Sequence, residues 1–473
     1  MNNIPLCVDL DGTLVRTNTL LETALGTLKQ NPLFILSLCK ALATSKAQAK
    51  HVIGQKFFIE QSPLPYNSEF LAWIQQQYKS GRTLILATAS DQHIAQQIAA
   101  QLGIFKTVIA STPAASVTAS GKALVLCRMF GSGGFSYAGN SHADLAVWNC
   151  AKSAVLVDAP YRISASIKKN IVIEKIFTTN NSPTARIIAQ TMRIHQWVKN
   201  TLLFVPALAA HQITQQTVAL HALLGFISFS LLASAVYIFN DITDIPSDRA
   251  HATKQHRPIA SGTISLKNAL LLGTWCAIAS IVIAIAFLPS SFLGILALYL
   301  GINICYSLGA KRIAYLDIVI LAGLYVLRIF AGSFATGIAT SKWLFIWTLF
   351  FFLSLAIVKR IIELIQLGAD TTRAHGRGYQ KNDQKFLSYA GMAAAVCSSI
   401  VLGLYIRSST IFTLYTNPSI LWGIVIVVSA WLARIWKLAL RGALPSDPVL
   451  FAAKDPLSYA AVGAVIAIML LAS

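Results

Sequence analysis

Residues 222–249 read ALLGFISFSLLASAVYIFNDITDIPSDR. An apolar run of membrane-spanning length passes without a break into Asn240-Asp241, Asp244, Asp248 and Arg249. A run this apolar needs roughly 20 residues to cross a hydrocarbon core of about 30 Å, and the stretch before Asn240 supplies them. Positions 241, 244 and 248 recur at i, i+3 and i+7, so one helix face can present three carboxylates to one cavity. Three carboxylates so close repel unless cations sit among them, and Mg2+ suits a few carboxylates combined with phosphate oxygens. Pro246 interrupts the register, so the helix is expected to end or kink near 245 and leave Asp248 on a loop.

Outward from this stretch the chain changes character. It is 55% hydrophobic and 12% charged, against about 25% charged in soluble domains. Residues 1–180 mix residue types as a soluble domain does. From about 185 to 473, apolar stretches alternate with short polar connections. Nine spans are expected, near 187–210, 216–240, 266–287, 290–309, 315–338, 343–364, 386–406, 417–437 and 450–472. The net charge of +20 collects in alternate connections, at Arg249, Lys254, Arg257 and Lys267, at Lys311 and Arg312, across 359–385, and at Arg434, Lys437 and Arg441. That is the positive-inside pattern rather than a nucleic-acid footprint. It predicts a multi-pass protein of the cell inner membrane with a cytoplasmic head. The start, MNNIPLCVDLDGT, has no basic segment before an apolar one, so no cleaved signal is expected. Seven scattered cysteines without C-x-x-C read as small core residues.

In the head, Ile4–Val8 is a short apolar strand that stops at Asp9-Leu-Asp11-Gly-Thr, placing carboxylates at a sheet's C-terminal edge. A second strand, 83–87, ends at Thr88-Ala-Ser90-Asp91, with a helix near 91–102. Further strands are expected at 107–110, 135–138, 154–157 and 171–174, which makes a doubly wound α/β domain. Residues 17–80 read as largely helical, a cap over the site. Within them, Asn31–Cys39 is too short to span a bilayer and is expected to be core rather than an interfacial contact.

Asp9-x-Asp11-Gly-Thr, Thr88, Gly121-Lys122 and Gly139-Asn140-Ser-His-Ala-Asp144 occur in an order that resembles the haloacid-dehalogenase-like (HAD) phosphatase superfamily over 4–175. The resemblance implies Asp9 as nucleophile and Asp11 as acid/base. Thr88 and Lys122 would bind phosphoryl oxygens, and Asp9, Asp11, Asn140 and Asp144 would surround Mg2+. Asn140 departs from the Asp usual at that position, which leaves open a docking or regulatory head without catalysis.

The body over 185–472 resembles the UbiA superfamily of intramembrane prenyltransferases. Asn240-Asp241-x-x-Asp244-x-x-x-Asp248 looks like that family's first aspartate-rich motif. The second, DxxxD, is absent after the sixth expected span. There the sequence offers Lys359, Arg360, Glu363, Arg373, Arg377 and Tyr379. Cations in place of acids suit a more anionic substrate pair, and the body resembles the decaprenyl-phosphate phosphoribosyltransferase branch. Arg193-x-x-Gln196-Trp197-x-Lys199-Asn200, Arg257-Pro-Ile-Ala-Ser-Gly262, Lys311-Arg312, Asp317…Arg328 and Asp447…Asp455 add to that resemblance. Ala252, where Pro is expected, departs from it.

The resemblance implies Mg2+ held by Asp241, Asp244 and Asp248 beside Asn240. Arg249, Lys199, Lys254, Arg257 and Lys311 would bind the diphosphate or 5-phosphate, and Lys359 and Arg360 the lipid phosphate. Asp317 and Arg328 could form a structural ion pair. The implied substrates are a polyprenyl lipid and a diphosphate-bearing donor, with the membrane as surroundings. Transfer of a prenyl group to an aromatic acceptor is the competing expectation. A transporter with a regulatory head is a third, but no internal repeat supports it.

Overall fold

The computed structural model describes residues 4–58, 63–167, 171–178, 184–366, 378–445 and 447–472. The chain divides into two compact units. One comprises Met1–Met192 with Tyr237–Thr274, and the other Arg193–Val236 with Trp275–Ser473. The boundary read from composition, near 180, therefore does not coincide with the division of the fold. The aspartate-rich stretch belongs with the head.

The first unit is built on a parallel sheet. In chain order its elements are β1 (Leu6–Val8), α1 (Thr19–Gln30), α2 (Phe34–Thr44), α3 (Lys46–Gly54), α4 (Ser68–Lys79), β2 (Leu84–Asp91), α5 (Gln92–Leu102) and β3 (Thr107–Ser111). These are followed by α6 (Ala119–Phe130), β4 (Ser136–Gly139), α7 (Leu145–Trp148), β5 (Ser153–Val157), α8 (Tyr161–Ile167), β6 (Val172–Phe177) and α9 (Ala185–Thr191). The strand order is β3-β2-β1-β4-β5-β6, all parallel. Alternate residues feed two cores. Leu6, Val8, Leu84 and Leu86 pack with Phe70, Ile74, Ile94 and Ile98, while Cys7, Ile85 and Ala87 pack with Leu126, Tyr137 and Trp148. Helices cover both faces, which is the doubly wound arrangement expected. The order reverses between β1 and β4, and in such sheets ligands bind outside the strand ends at that reversal.

Two expectations for 17–80 change. Helix α4 is part of the sheet's core through Phe70 and Ile74, so it is not part of a cap. Helix α2 is not core. It buries Phe34 and Ala41 but exposes Leu33, Ile35, Leu36 and Leu42. Too few neighbouring apolar side chains come from α1 and α3 to cover more than one face of it.

The second unit is helical. In chain order the remaining helices, shared between the two units, are α10 (Val205–Ala209), α11 (Gln216–Thr243), α12 (Ile245–Arg249), α13 (Leu266–Phe287), α14 (Ser290–Leu308), α15 (Leu316–Thr336) and α16 (Lys342–Ile365). They continue with α17 (Asp383–Ile406), α18 (Ser409–Leu414), α19 (Trp422–Leu440), α20 (Pro448–Ala452) and α21 (Pro456–Ala472). Among the described residues seven helices are long and apolar enough to cross a membrane, and they match the second to eighth expected spans. In place of the ninth expected span, 450–472, stand α20 and the 17-residue α21, which is shorter than those seven. The first expected span, 187–210, is not one helix. Arg193 adopts φ 53°, and 3-10 turns run over Ile194–Phe204 before α10, which starts with Pro206 in its first turn.

That run of 3-10 turns packs so closely on α15 that a Cβ on Gly332 would lie 2.0 Å from the Leu203 carbonyl oxygen. Gly332→Ala is expected to force the two elements apart at a cost of about 1–3 kcal/mol. The readout is a lower thermal-unfolding midpoint of the detergent-purified protein.

Candidate functional site

The register of the sheet places Val8 opposite Leu86 and Ala138, so Asp9, Thr88 and Asn140 reach the same C-terminal edge. Asp9 is buried, and Lys122 Nζ donates to its Oδ1 at 2.8 Å and to the Tyr137 hydroxyl at 2.7 Å. Burial pushes the Asp9 carboxyl up to about 7, the nearby Asp144 and Asp11 add to this, and Lys122 opposes it. Burial works against the Lys122 ammonium too, but Asp9 and Asp144 outweigh it and raise its pKa. Asp11 accepts from the backbone N–H and hydroxyl of Thr19, both at 2.8 Å, at the start of α1. Gly12, at φ 81°, leaves the space that the Asn140 amide fills.

The magnesium site expected here is not assembled. Asp144 accepts through Oδ1 from Tyr137 and Lys122, and through Oδ2 from Asn140 N, Ser141 N and Ser141 Oγ. Oδ2 thus caps its own turn and Oδ1 is taken up by Tyr137 and Lys122, while Asn140 contributes no charge. The donors left at this edge do not fit a resident Mg2+.

Helix α3 lies within the stretch expected to be helical, but the sequence does not single out Lys50 and His51 on it. Lys50 Nζ donates to the Ala89 carbonyl at 2.7 Å and His51 Nδ1 lies 3.3 Å from Asp91. Neither residue belongs to a motif, and only the fold brings them to the sheet edge.

The aspartate-rich segment follows from how α11 ends. The helix stops at Thr243, Asp244 turns at φ −98°, and Pro246 falls in the first turn of α12, where its missing N–H costs nothing. Asp248 is therefore on a short helix rather than the expected loop. Asp241 and Asp248 are both buried, and Arg257 Nη1 lies 3.2 Å from the first and 2.6 Å from the second. Asp244 points elsewhere and is paired with Lys29 of α1, whose Nζ also donates to the Thr243 carbonyl at 3.2 Å. Arg249, expected to bind phosphate, instead forms a bidentate pair with Glu22 at 2.7 and 3.0 Å and donates to the Pro63 and Ala260 carbonyls.

Nothing local in the sequence marks Glu22 or Lys29 as partners of residues more than 200 positions away. Asn240 is half-buried and Lys254 exposed. Among the described residues no three His, Cys, Asp or Glu side chains gather closely enough to hold a metal ion, so the expected three-carboxylate site is reduced to a pair. Asp241 and Asp248 fit the simpler donor set of Mg2+, one or two carboxylates completed by substrate phosphate oxygens.

The second unit holds a basic cluster of its own. Lys199, buried on the 3-10 run, lies 2.5 Å from Asp447, with Lys359 3.7 Å from the same carboxylate. Arg328 donates to Asn200 at 2.9 Å and lies about 5.5 Å from the rings of Phe229, Tyr299 and Tyr325. Asp317 pairs with Arg360 at 2.6 Å and accepts from the Tyr379 hydroxyl. An Asp317–Arg328 pair is thus replaced by two separate arrangements. Arg360 is fully buried and also bonds Glu363, so it holds α15 and α16 together rather than facing a lipid phosphate. Lys311 is half-buried, on a single 3-10 turn after α14. Arg373 and Arg377 lie outside the described residues.

The UbiA prenyltransferase family model matches residues 201–461. A protein of Sinorhizobium fredii called y4nM is 34% identical over 98% of this chain and 90% of its own length. The decaprenyl-phosphate phosphoribosyltransferase of Mycolicibacterium smegmatis is 28% identical over 57% of this chain and 86% of its own. Among solved structures, a UbiA homolog from Archaeoglobus fulgidus bound to GPP and Mg2+ aligns with a TM-score of 0.46 and 16% identity, over 60% of this chain and 99% of that one. The match runs from the 3-10 turns before α10 into α21, and the chain belongs to the UbiA prenyltransferase family.

Proposed function

We propose that the membrane body moves 5-phosphoribose from phosphoribosyl diphosphate to a polyprenyl phosphate. The observation that carries this reading is the Arg257 bridge between Asp241 and Asp248, which joins two carboxylates for a metal to a cation for phosphate. The relative named decaprenyl-phosphate phosphoribosyltransferase supports the choice of donor. So does the lack of a second aspartate-rich motif in the sequence after the sixth expected span.

Mg2+ held by Asp241 and Asp248 would neutralise the diphosphate and make it a better leaving group. Arg257 then exchanges its carboxylate partners for diphosphate oxygens. The lipid phosphate is already ionised, so it needs orientation rather than a general base. Its oxygen forms the new bond to the anomeric carbon as the bond from that carbon to the diphosphate breaks. Fixed charges stabilise the oxocarbenium-like carbon between the two. The head and the basic connections would lie on the cytoplasmic side of the inner membrane.

For the head we propose hydrolysis of a phosphate monoester, the 5-phosphate of the ribosyl lipid being the nearest candidate. Tethering would hold that product at high local concentration. A second reading, a docking head without catalysis, is favoured by the engaged Asp144 and the neutral Asn140.

With Mg2+, phosphoribosyl diphosphate and polyprenyl phosphate, the purified protein is expected to release diphosphate and form a charged ribosyl lipid, followed by mass spectrometry. Asp241→Asn and Asp248→Asn are each expected to slow this by on the order of 100-fold. Turnover of a prenyl diphosphate with an aromatic acceptor, and none of the ribosyl donor, would overturn the reading.

Asp9→Asn tests the head separately. It should leave transfer intact and accumulate the lipid that still bears its 5-phosphate. The same dephosphorylated lipid from both proteins would make the head a docking module.

A further inference from the structure

Helix α2 carries an apolar face that the head does not cover. Ile35, Cys39 and Leu42 recur at i, i+4 and i+7, and Leu33 and Leu36 extend the same arc. All five are exposed, Leu33 by 71% and Leu36 by 66%. The opposite side is the one that packs, with Phe34 buried beside Ala24 and Ile53 of α1 and α3. Other exposed apolar side chains of the head, such as Leu124 and Tyr161, are scattered singly. With 11 residues, α2 is too short to cross a bilayer.

Its position is set by its neighbour. Lys29, in the last turn of α1, bonds the carbonyl of Thr243 and the carboxylate of Asp244, and Thr243 is the final residue of the apolar helix α11. Leu33 follows Lys29 by four residues, so its Cα lies within roughly 14 Å of the Lys29 Cα, whose side chain makes the attachment at the end of a membrane-length helix. The only charged side chain within α2, Lys40, follows Leu36 by four residues on the Leu33–Leu36 side of the arc, and Lys46 follows just beyond the helix's end; both are exposed. An apolar arc edged by lysines, held level with the end of a span, matches an interfacial helix, which sinks about 5–10 Å into the boundary between headgroups and acyl chains. The lysines complement anionic headgroups.

We propose that α2 is a membrane-surface helix, with Leu33, Ile35, Leu36, Cys39 and Leu42 set in the lipid interface beside the end of α11. The occupant of the exposed face is lipid. The helix thereby keeps the head's sheet edge close to the bilayer surface, where a lipid-borne phosphate would be presented.

The test uses the unaltered full-length protein in vesicles of phosphatidylcholine and phosphatidylglycerol, with a phospholipid that carries a photoactivatable diazirine high on one acyl chain. After illumination, peptides spanning 33–42 are expected to carry lipid adducts at a level close to the exposed face of α13, where Ile278, Ile281, Val282 and Ile285 lie. They should exceed the exposed Gln75–Gln76 surface of α4 several-fold. The Leu36→Glu/Leu42→Glu variant should lose most of the α2 adducts while α13 keeps its own, which separates a local effect from unfolding. Adducts on α2 no higher than on α4 would overturn the proposal. So would an α2 that is free of lipid adducts and crosslinks instead to a second copy of the chain.

Discussion

A carboxylate withdrawn from water needs a counter-charge, and Arg257 between Asp241 and Asp248 is where this protein depends on it most. Two buried acids at the end of a membrane-length helix would repel each other without it. With it, the end of α11, the turn at Asp244 and the short α12 keep one arrangement. The same requirement recurs at Asp9 with Lys122, at Asp447 with Lys199, and at Asp317 with Arg360. Breaking one side of such a pair strands the other charge, so each acts as a local constraint on the fold. In the proposed transfer, Arg257 would exchange such carboxylate partners for diphosphate oxygens. A cation that neutralises a carboxylate at rest is already placed for an anionic substrate.

The segment 237–274 belongs to the head's compact unit because of a few long-range polar contacts. Glu22 and Arg249 form a bidentate pair that is almost fully buried, with Thr17 donating to the same carboxylate. A Cβ on Gly262 would lie 2.7 Å from the Arg16 carbonyl oxygen, so the two loops touch backbone to backbone there. These contacts begin at residues 16–29, directly after the Asp9–Thr13 turn. Thr19 binds Asp11 at one end of α1 and Lys29 binds Asp244 at the other. A single helix thus touches both acidic motifs of the unit.

In the helical unit, close approach does what charge does elsewhere. Gly332 admits the 3-10 run, and Gly391 faces the Trp436 ring, whose Nε1 donates to Ser354. Without a hydrophobic drive between helices in lipid, such small-residue contacts and side-chain hydrogen bonds carry the packing. The price of a non-helical first element is met by Asn200, which donates to Ser230 and accepts from Arg328.

The sequence alone determined the periodic parts. Apolar run length located the seven long helices, and strand–turn chemistry located the parallel sheet with Asp9 and Thr88 at its edge, because both signals are local and repeat along the chain. It also marked Asp241, Asp248 and Arg257 as one group, since all three fall close together along the chain. Tertiary structure decided the rest. Asp244 turned to Lys29, Arg249 to Glu22, Arg360 to Asp317, and Asp144 to its own turn, and α2 kept its apolar face outward. Each of these outcomes depends on which side chain arrives from elsewhere in the chain to satisfy a buried charge or cover an apolar surface. No local pattern encodes that arrival.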